Sequence, residues 1–255
     1  MALTLNYRWL VGFLLALARA LGWLMLVPPF SNRRAIPAIA TTCLASGLAL
    51  LVGPRIPASA IPSTAPSFVG DLVLQVMTGA AIGYVVYLLI STITTAGSFV
   101  DLMGGLNLPA SIDPLSLDQT PMIGQFFEQV AMALLLVSGG YLYLVDGFAR
   151  SFDTAGFTLS STSRIGEVVV LDLATLFTSA LEIAAPILVV LFATQIVLAL
   201  LSKAAPQMNV WILGMPLQIV LAIVLVGLGI SVLPGYVAQF VSRALGDTAS
   251  LFGGH

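Results

Sequence analysis

Residues 101–128 read DLMGGLNLPASIDPLSLDQTPMIGQFFE. Pro109, Pro114 and Pro121, together with Gly104 and Gly105, prevent a continuous helix, because proline lacks an N–H and glycine is costly inside helices. Yet Leu102, Met103, Leu106, Leu108, Ile112, Leu115, Leu117, Met122 and Ile123 make the stretch too apolar to lie in water. Irregular backbone at membrane depth survives only where it is buried in protein or lines a cavity. The reading is therefore a loop held inside something, between two long apolar helices.

The rest of the chain has the composition such a loop requires. Of 255 residues, 59% are hydrophobic and 8% charged, against about 25% charged in a soluble domain, and the mean hydropathy is +1.07. This predicts an integral membrane protein. Nine Lys and Arg against eleven Asp and Glu are scattered singly or in pairs, so no basic patch points to nucleic acid.

About 20 apolar residues cross a bilayer core, which predicts an all-α fold of six long helices near 9–27, 36–53, 70–97, 125–147, 173–202 and 210–243. The charge-free run from Ala204 to Ser242 is either one long helix or a hairpin turning at Gly227, Gly229 or Pro234. Arg8 and the apolar run after it imitate a signal peptide, but Ala20 to Phe30 remain apolar, which favours an uncleaved first membrane helix. If the helices alternate, one side holds Arg8, Arg55, Arg150, Arg164 and Arg243 and the other Arg33, Arg34 and Lys203, which places both termini in the cytoplasm.

Polar residues inside apolar runs are the remaining candidates. Arg19, within the first helix, either meets an acid on another helix or subunit, or snorkels to the interface. Asp172 is read as complementing the dipole at the start of the fifth helix, and Glu182, beyond any first turn, as paired and buried. Gln75, Gln195, Gln218 and Gln239 are read as general packing rather than as interhelical bonds, and Gly79 with Gly83 as a GxxxG site of close approach. Cys43, the lone cysteine, is expected to be a buried structural thiol. There is no HExxH, no GxxxxGK[ST], and no GxGxxG followed by a suitably placed acid. Nothing pairs Asp101, Asp113 or Glu128 with a nucleophile or metal. An enzyme is not expected, and neither is a cofactor or bound metal. A secondary transporter would show a second copy of the broken segment, and none is present.

An ordered string of motifs resembles the flagellar FliR family and its counterparts in virulence type III secretion. It comprises Pro28-Pro29-Phe30-Ser31-Asn32-Arg33-Arg34-Ala35-Ile36-Pro37; Asp113-Pro114 followed by Pro121, Gly124, Gln125 and Phe126; Ser151-Phe152; and Ala185-Pro186. The most specific part is Leu201-Ser202-Lys203-Ala204-Ala205-Pro206-Gln207-Met208-Asn209-Val210 with Gly214-Met215-Pro216-Leu217. The family often has Asn-Gly-His where this chain has Ser138-Gly139-Gly140, and Arg where Lys203 stands.

The resemblance implies one helical domain over residues 1–255, made of hairpins, in the export gate that passes unfolded flagellar subunits through the bacterial inner membrane. FliP and FliQ are the implied pore partners, FlhB is attached outside, and membrane lipid surrounds part of the assembly. It further implies a pore plug at about 104–122, formed by Gly104, Gly105, Leu106, Leu108, Pro109, Ile112, Asp113, Pro114, Leu115, Leu117, Pro121 and Met122. Arg19, Glu182, Lys203, Pro206, Gln207 and Asn209 are then candidates for subunit contacts or packing.

Overall fold

A computed structural model describes residues 7–28, 30–31, 36–53, 64–106, 121–154, 162–207, 209–239 and 242. Every regular element among them is helical: α1 Tyr7–Leu26, α2 Ala38–Val52, α3 Ala65–Met103, α4 Met122–Val137, α5 Gly140–Thr154, α6 Thr162–Ala204 and α7 Val210–Gly229. A 3₁₀ turn, Ile230–Val232, follows α7, and helix resumes to residue 239. Among the described residues four stretches are long and apolar enough to cross a membrane, Trp9–Leu26, Ala65–Met103, Leu173–Ala204 and Gly214–Gln239, and Met122–Val137 with Gly140–Phe152, bent by 76°, makes a fifth if counted as one broken span. The chain is thus a multi-pass helical membrane protein.

The differences from the expected helices have local causes. The third helix starts at Ala65 rather than near 70, because Thr64 caps it. The Phe68 N–H makes the first intrahelical bond, to the Thr64 carbonyl at 3.1 Å, and Ser67 Oγ reaches back to accept the Thr64 N–H at 3.3 Å, one half of a capping box. Pro66 sits in the first turn, where its missing N–H costs nothing. The expected helix at 125–147 is two helices, broken at Gly139, whose φ of 71° is a left-handed conformation that glycine adopts without strain. The fifth expected helix begins at Thr162, so Asp172 lies three turns inside α6 and does not serve its start. Of the two readings of 204–242, the continuous helix is the one found: Gly214–Gln239 forms a single apolar span.

The chain forms two compact units. One comprises residues 1–89, 138–173 and 240–255, the other residues 90–137 and 174–239. In the first, α2 packs on α1 and buries Ala45, Ala49 and Val52, a stripe at helical spacing. Cys43 stands two residues before that stripe, about 200° around the helix, and is therefore exposed instead of buried. The early part of α3 meets α1 through glycines. A Cβ on Gly79 would collide with the Arg19 carbonyl, one on Gly22 with the Val76 carbonyl, and one on Gly83 would lie 2.6 Å from the Trp23 carbonyl. The GxxxG pair thus permits backbone-to-backbone approach.

In the second unit Val100, Ile123, Phe127, Ala131, Ala180, Ala184, Ile187, Leu191, Ala222 and Val226 are buried. On α6 the residues at 180, 183, 184, 187 and 191 make one buried stripe. Glu182 falls off that stripe and is exposed, contrary to the buried, paired role expected of it. Much of the apolar surface of α6 and α7 is uncovered in the chain alone, including Val189, Phe192, Val197, Leu200, Ile212, Val220, Ile223 and Leu228.

Candidate functional site

The end of α3 and the start of α4, which flank the apolar stretch, form a neck within the second unit. At the end of α3 the Gly104 N–H donates to the Val100 carbonyl at 2.7 Å, and the Leu106 N–H to the Asp101 carbonyl at 3.1 Å. Between them Gly105 has a φ of 74°. This is a Schellman ending, in which a left-handed glycine lets the chain fold back onto the last turn. Its neighbour Gly104 is tight for a different reason, since a Cβ there would come within 2.9 Å of Ala222 Cβ on α7.

At the start of α4 the Gln125 N–H donates to the Pro121 carbonyl at 3.0 Å, which makes Pro121 the N-cap. An N-cap side chain normally accepts from the second or third helical N–H, and proline has no acceptor. Asp101 supplies both bonds from elsewhere. Its Oδ1 accepts from the Ile123 N–H at 3.1 Å and its Oδ2 from the Gly124 N–H at 3.0 Å. Asp101 is fully buried. An ionised group out of water costs several kcal/mol unless it is bonded, and its position at a helix N-terminus supplies both donors and favourable dipole. The helices approach closely enough because Gly97 and Gly124 face each other. A Cβ on Gly97 would lie 2.7 Å from Gly124 Cα.

A cleft of about 440 Å³ beside the Schellman turn is lined by Gly105, Gln195, Leu198, Val210, Gly214 and Gln218. The Gln195 amide donates to the Met103 carbonyl at 3.2 Å, satisfying one of the last carbonyls of α3. An interhelical bond therefore replaces the general packing expected of Gln195.

The first unit holds a separate polar constellation around Arg19, which is fully buried and does not snorkel. Its Nε donates to Gln75 Oε1 at 2.6 Å on α3, and its Nη1 to the Ser151 carbonyl at 2.7 Å and Ser151 Oγ at 3.3 Å on α5. The guanidinium carbon lies 4.2 Å from the centroid of the Phe152 ring, a cation–π distance. Phe148 stacks on Trp23 at 4.7 Å and meets Phe152 edge-on at 5.4 Å. Gln75 is thus a bonding partner, where bland packing had been expected. Its Nε2 and Trp23 Nε1 are buried donors that find no acceptor among the described residues.

Of the residues expected to form the plug, Gly104, Gly105, Leu106, Pro121 and Met122 are at the neck just described. Leu108, Pro109, Ile112, Asp113, Pro114, Leu115 and Leu117 lie outside the described residues. Lys203, Pro206, Gln207 and Asn209 are exposed around the turn between α6 and α7. Asn209 makes no side-chain cap to α7.

Residues 10–244 match the model of the family described as bacterial export proteins, family 1. The chain belongs to that family. Among its relatives it is 25% identical to the flagellar biosynthetic protein FliR of Bacillus subtilis strain 168 over 226 residues, 87% of each chain. It is 26% identical to FliR of Escherichia coli K12 over 218 residues, 84% of this chain and 82% of that one. The surface presentation of antigens protein SpaR of Salmonella typhimurium strain LT2 is 27% identical over 242 residues, 91% of this chain and 90% of that one. In this export protein, the sequence pointed to Asp101 only as an acid and to Arg19 without its partners. The signal for the first was Pro121, a helix start with no acceptor of its own, and for the second Ser151-Phe152, already noted as a motif.

Proposed function

We propose that the chain is a channel component of the flagellar type III protein export gate, assembled with FliP and FliQ and flanked by FlhB. In this reading it passes unfolded flagellar subunits and contributes the plug that closes the pore at rest. The virulence-system counterpart does the same work in an injectisome.

The observation that carries this reading is the neck. A broken, apolar stretch is flanked by one buried aspartate, whose carboxylate holds the start of α4 and whose carbonyl closes the end of α3, in a chain of the bacterial export family. The stretch so flanked, with Leu, Ile and Met along it, has the chemistry to exclude water. The uncovered apolar faces of α6 and α7 support assembly with other helices or lipid, because exposed apolar area of this extent marks an interaction surface. The apolar helix of α3, 39 residues long, extends about 58 Å at 1.5 Å per residue, nearly twice a hydrocarbon core of about 30 Å. Part of it therefore needs protein rather than lipid around it.

Deleting residues 106–121 tests the plug. The expected result is a complex that assembles and leaks small solutes or exports with loosened gating. A deletion that assembles and stays as tight as the parent overturns the reading.

A further inference from the structure

We propose that Asp101 is the positioning residue of the loop neck, fixing the spacing between the end of α3 and the start of α4. Its gating consequence, though not its geometry, rests on the plug reading above. The Asp101 carbonyl accepts the Leu106 N–H that closes the Schellman turn. The carboxylate accepts the Ile123 and Gly124 N–H groups, one on each oxygen. The backbone of Asp101 ends one helix while its side chain begins the next.

No local group can replace it in this geometry. Pro121 is the N-cap and has no side-chain acceptor, and Gly124, at the third helical position, has no side chain to reach back. The N–H groups of Ile123 and Gly124 are amide groups of two buried residues, so water is a poor substitute. Ionised acceptors form bonds roughly twice as strong as neutral ones, and this one uses both of its oxygens. The contact at Gly97 and Gly124 brings the backbones together, but dispersion is undirected and does not set the rotation of α4 about its axis. The two-point grip of the carboxylate does.

The test uses the full chain in lipid nanodiscs. Cys43 is the only cysteine, so Cys43→Ala clears the background, and Leu102→Cys with Met122→Cys place spin labels on either side of the neck at positions 64% and 70% exposed. Electron–electron double resonance then reads the distance distribution, and hydrogen exchange reads the Ile123 and Gly124 amides. With Asp101 intact a single narrow distribution is expected. Asp101→Ala is expected to at least double its width, and Asp101→Asn, which keeps one carbonyl acceptor, to give an intermediate width. In Asp101→Asn the two amides should exchange at least tenfold faster while the middle of α4 is unchanged, a pattern that general destabilisation would not produce.

An unaltered width in Asp101→Asn together with unchanged exchange at 123 and 124 overturns the proposal, as does acceleration spread evenly along α4. Solute leakage in cells carrying Asp101→Asn separates the two claims. A widened neck without leakage upholds the positioning role and sinks the plug. Leakage with an unaltered neck does the reverse.

Discussion

The Oδ2 of Asp101 accepts the N–H of Gly124 at 3.0 Å across 23 positions of sequence, and the glycine that donates is also the one whose Cα lies against Gly97. Bond and contact reinforce each other. A side chain at either glycine would push the N–H out of reach of the carboxylate.

Gly97→Ala should therefore lower the thermal stability of the purified chain by about 1–3 kcal/mol, the usual cost of forcing extra atoms into a packed site. Gly227→Ala, where a Cβ would meet nothing within 4 Å, is the control. It should be neutral or stabilising by up to about 1 kcal/mol, since glycine is the poorer helix former. Circular dichroism melts in detergent distinguish them, and equal destabilisation of both would refute the contact.

Around Arg19, Gln75→Leu removes the acceptor of Nε. A hydrogen bond to a charged group contributes about 1.5–3 kcal/mol, and a loss of that size is expected by denaturant titration. Arg19→Met should cost at least as much. The double variant should cost clearly less than the two single losses combined, because both lose the same bond. Strict additivity would show that the 2.6 Å contact contributes nothing.

At Gly139 the expected effect is conformational alone. Its φ is 71° and a Cβ would find open space. Gly139→Ala should then destabilise by about 1–2 kcal/mol, the cost of a left-handed L-residue. Gly139→Asn should recover part of that loss, because asparagine tolerates the conformation better. Melting temperatures of the three forms provide the check.

The outer face of α7 offers a different outcome. Val220 and Ile223 are exposed in the chain alone. Val220→Ser with Ile223→Ser should leave the melting of the isolated chain within about 1 kcal/mol, as surface changes usually do. Recovery of the chain in an export complex should fall severalfold. Copurification from membranes measures this, and undiminished recovery would remove that face from any subunit contact.

Much of the fold was legible because membrane helices announce themselves by length and composition. The stretch 101–128 stood out as an interruption in otherwise unbroken apolar runs, but its ends are helical: α3 runs to Met103 and α4 starts at Met122, because the apolar flanks Leu102-Met103 and Met122-Ile123 continue the helices up to the glycine and proline breaks. Local chemistry resolved less. Ser67 caps the Thr64 N–H where the usual signature has Glu or Gln, so the sequence places the start of α3 late. Gly139 lies between Ser138 and Gly140, and its left-handed φ leaves no mark in composition.

Contacts between distant residues were the least visible. Glu182 and Cys43 were misjudged because which face of a helix is buried depends on neighbours that a mean hydropathy does not identify. Asp101 carries an acid's ambiguity. Only the position of α4 shows that its work is to accept two amide protons.

Arg19 also has a history in time. Gln75 follows it by 56 positions and Ser151 by 132. At about 5–20 residues per second of synthesis, the first acceptor emerges roughly 3–11 s after the arginine and the second roughly 7–26 s after it. During that interval the first helix carries a cation whose two Ser151 oxygens have not yet been made. The order of manufacture thus delays the full set of Arg19 bonds until α5 has been synthesised, while α6 and α7 are still to come.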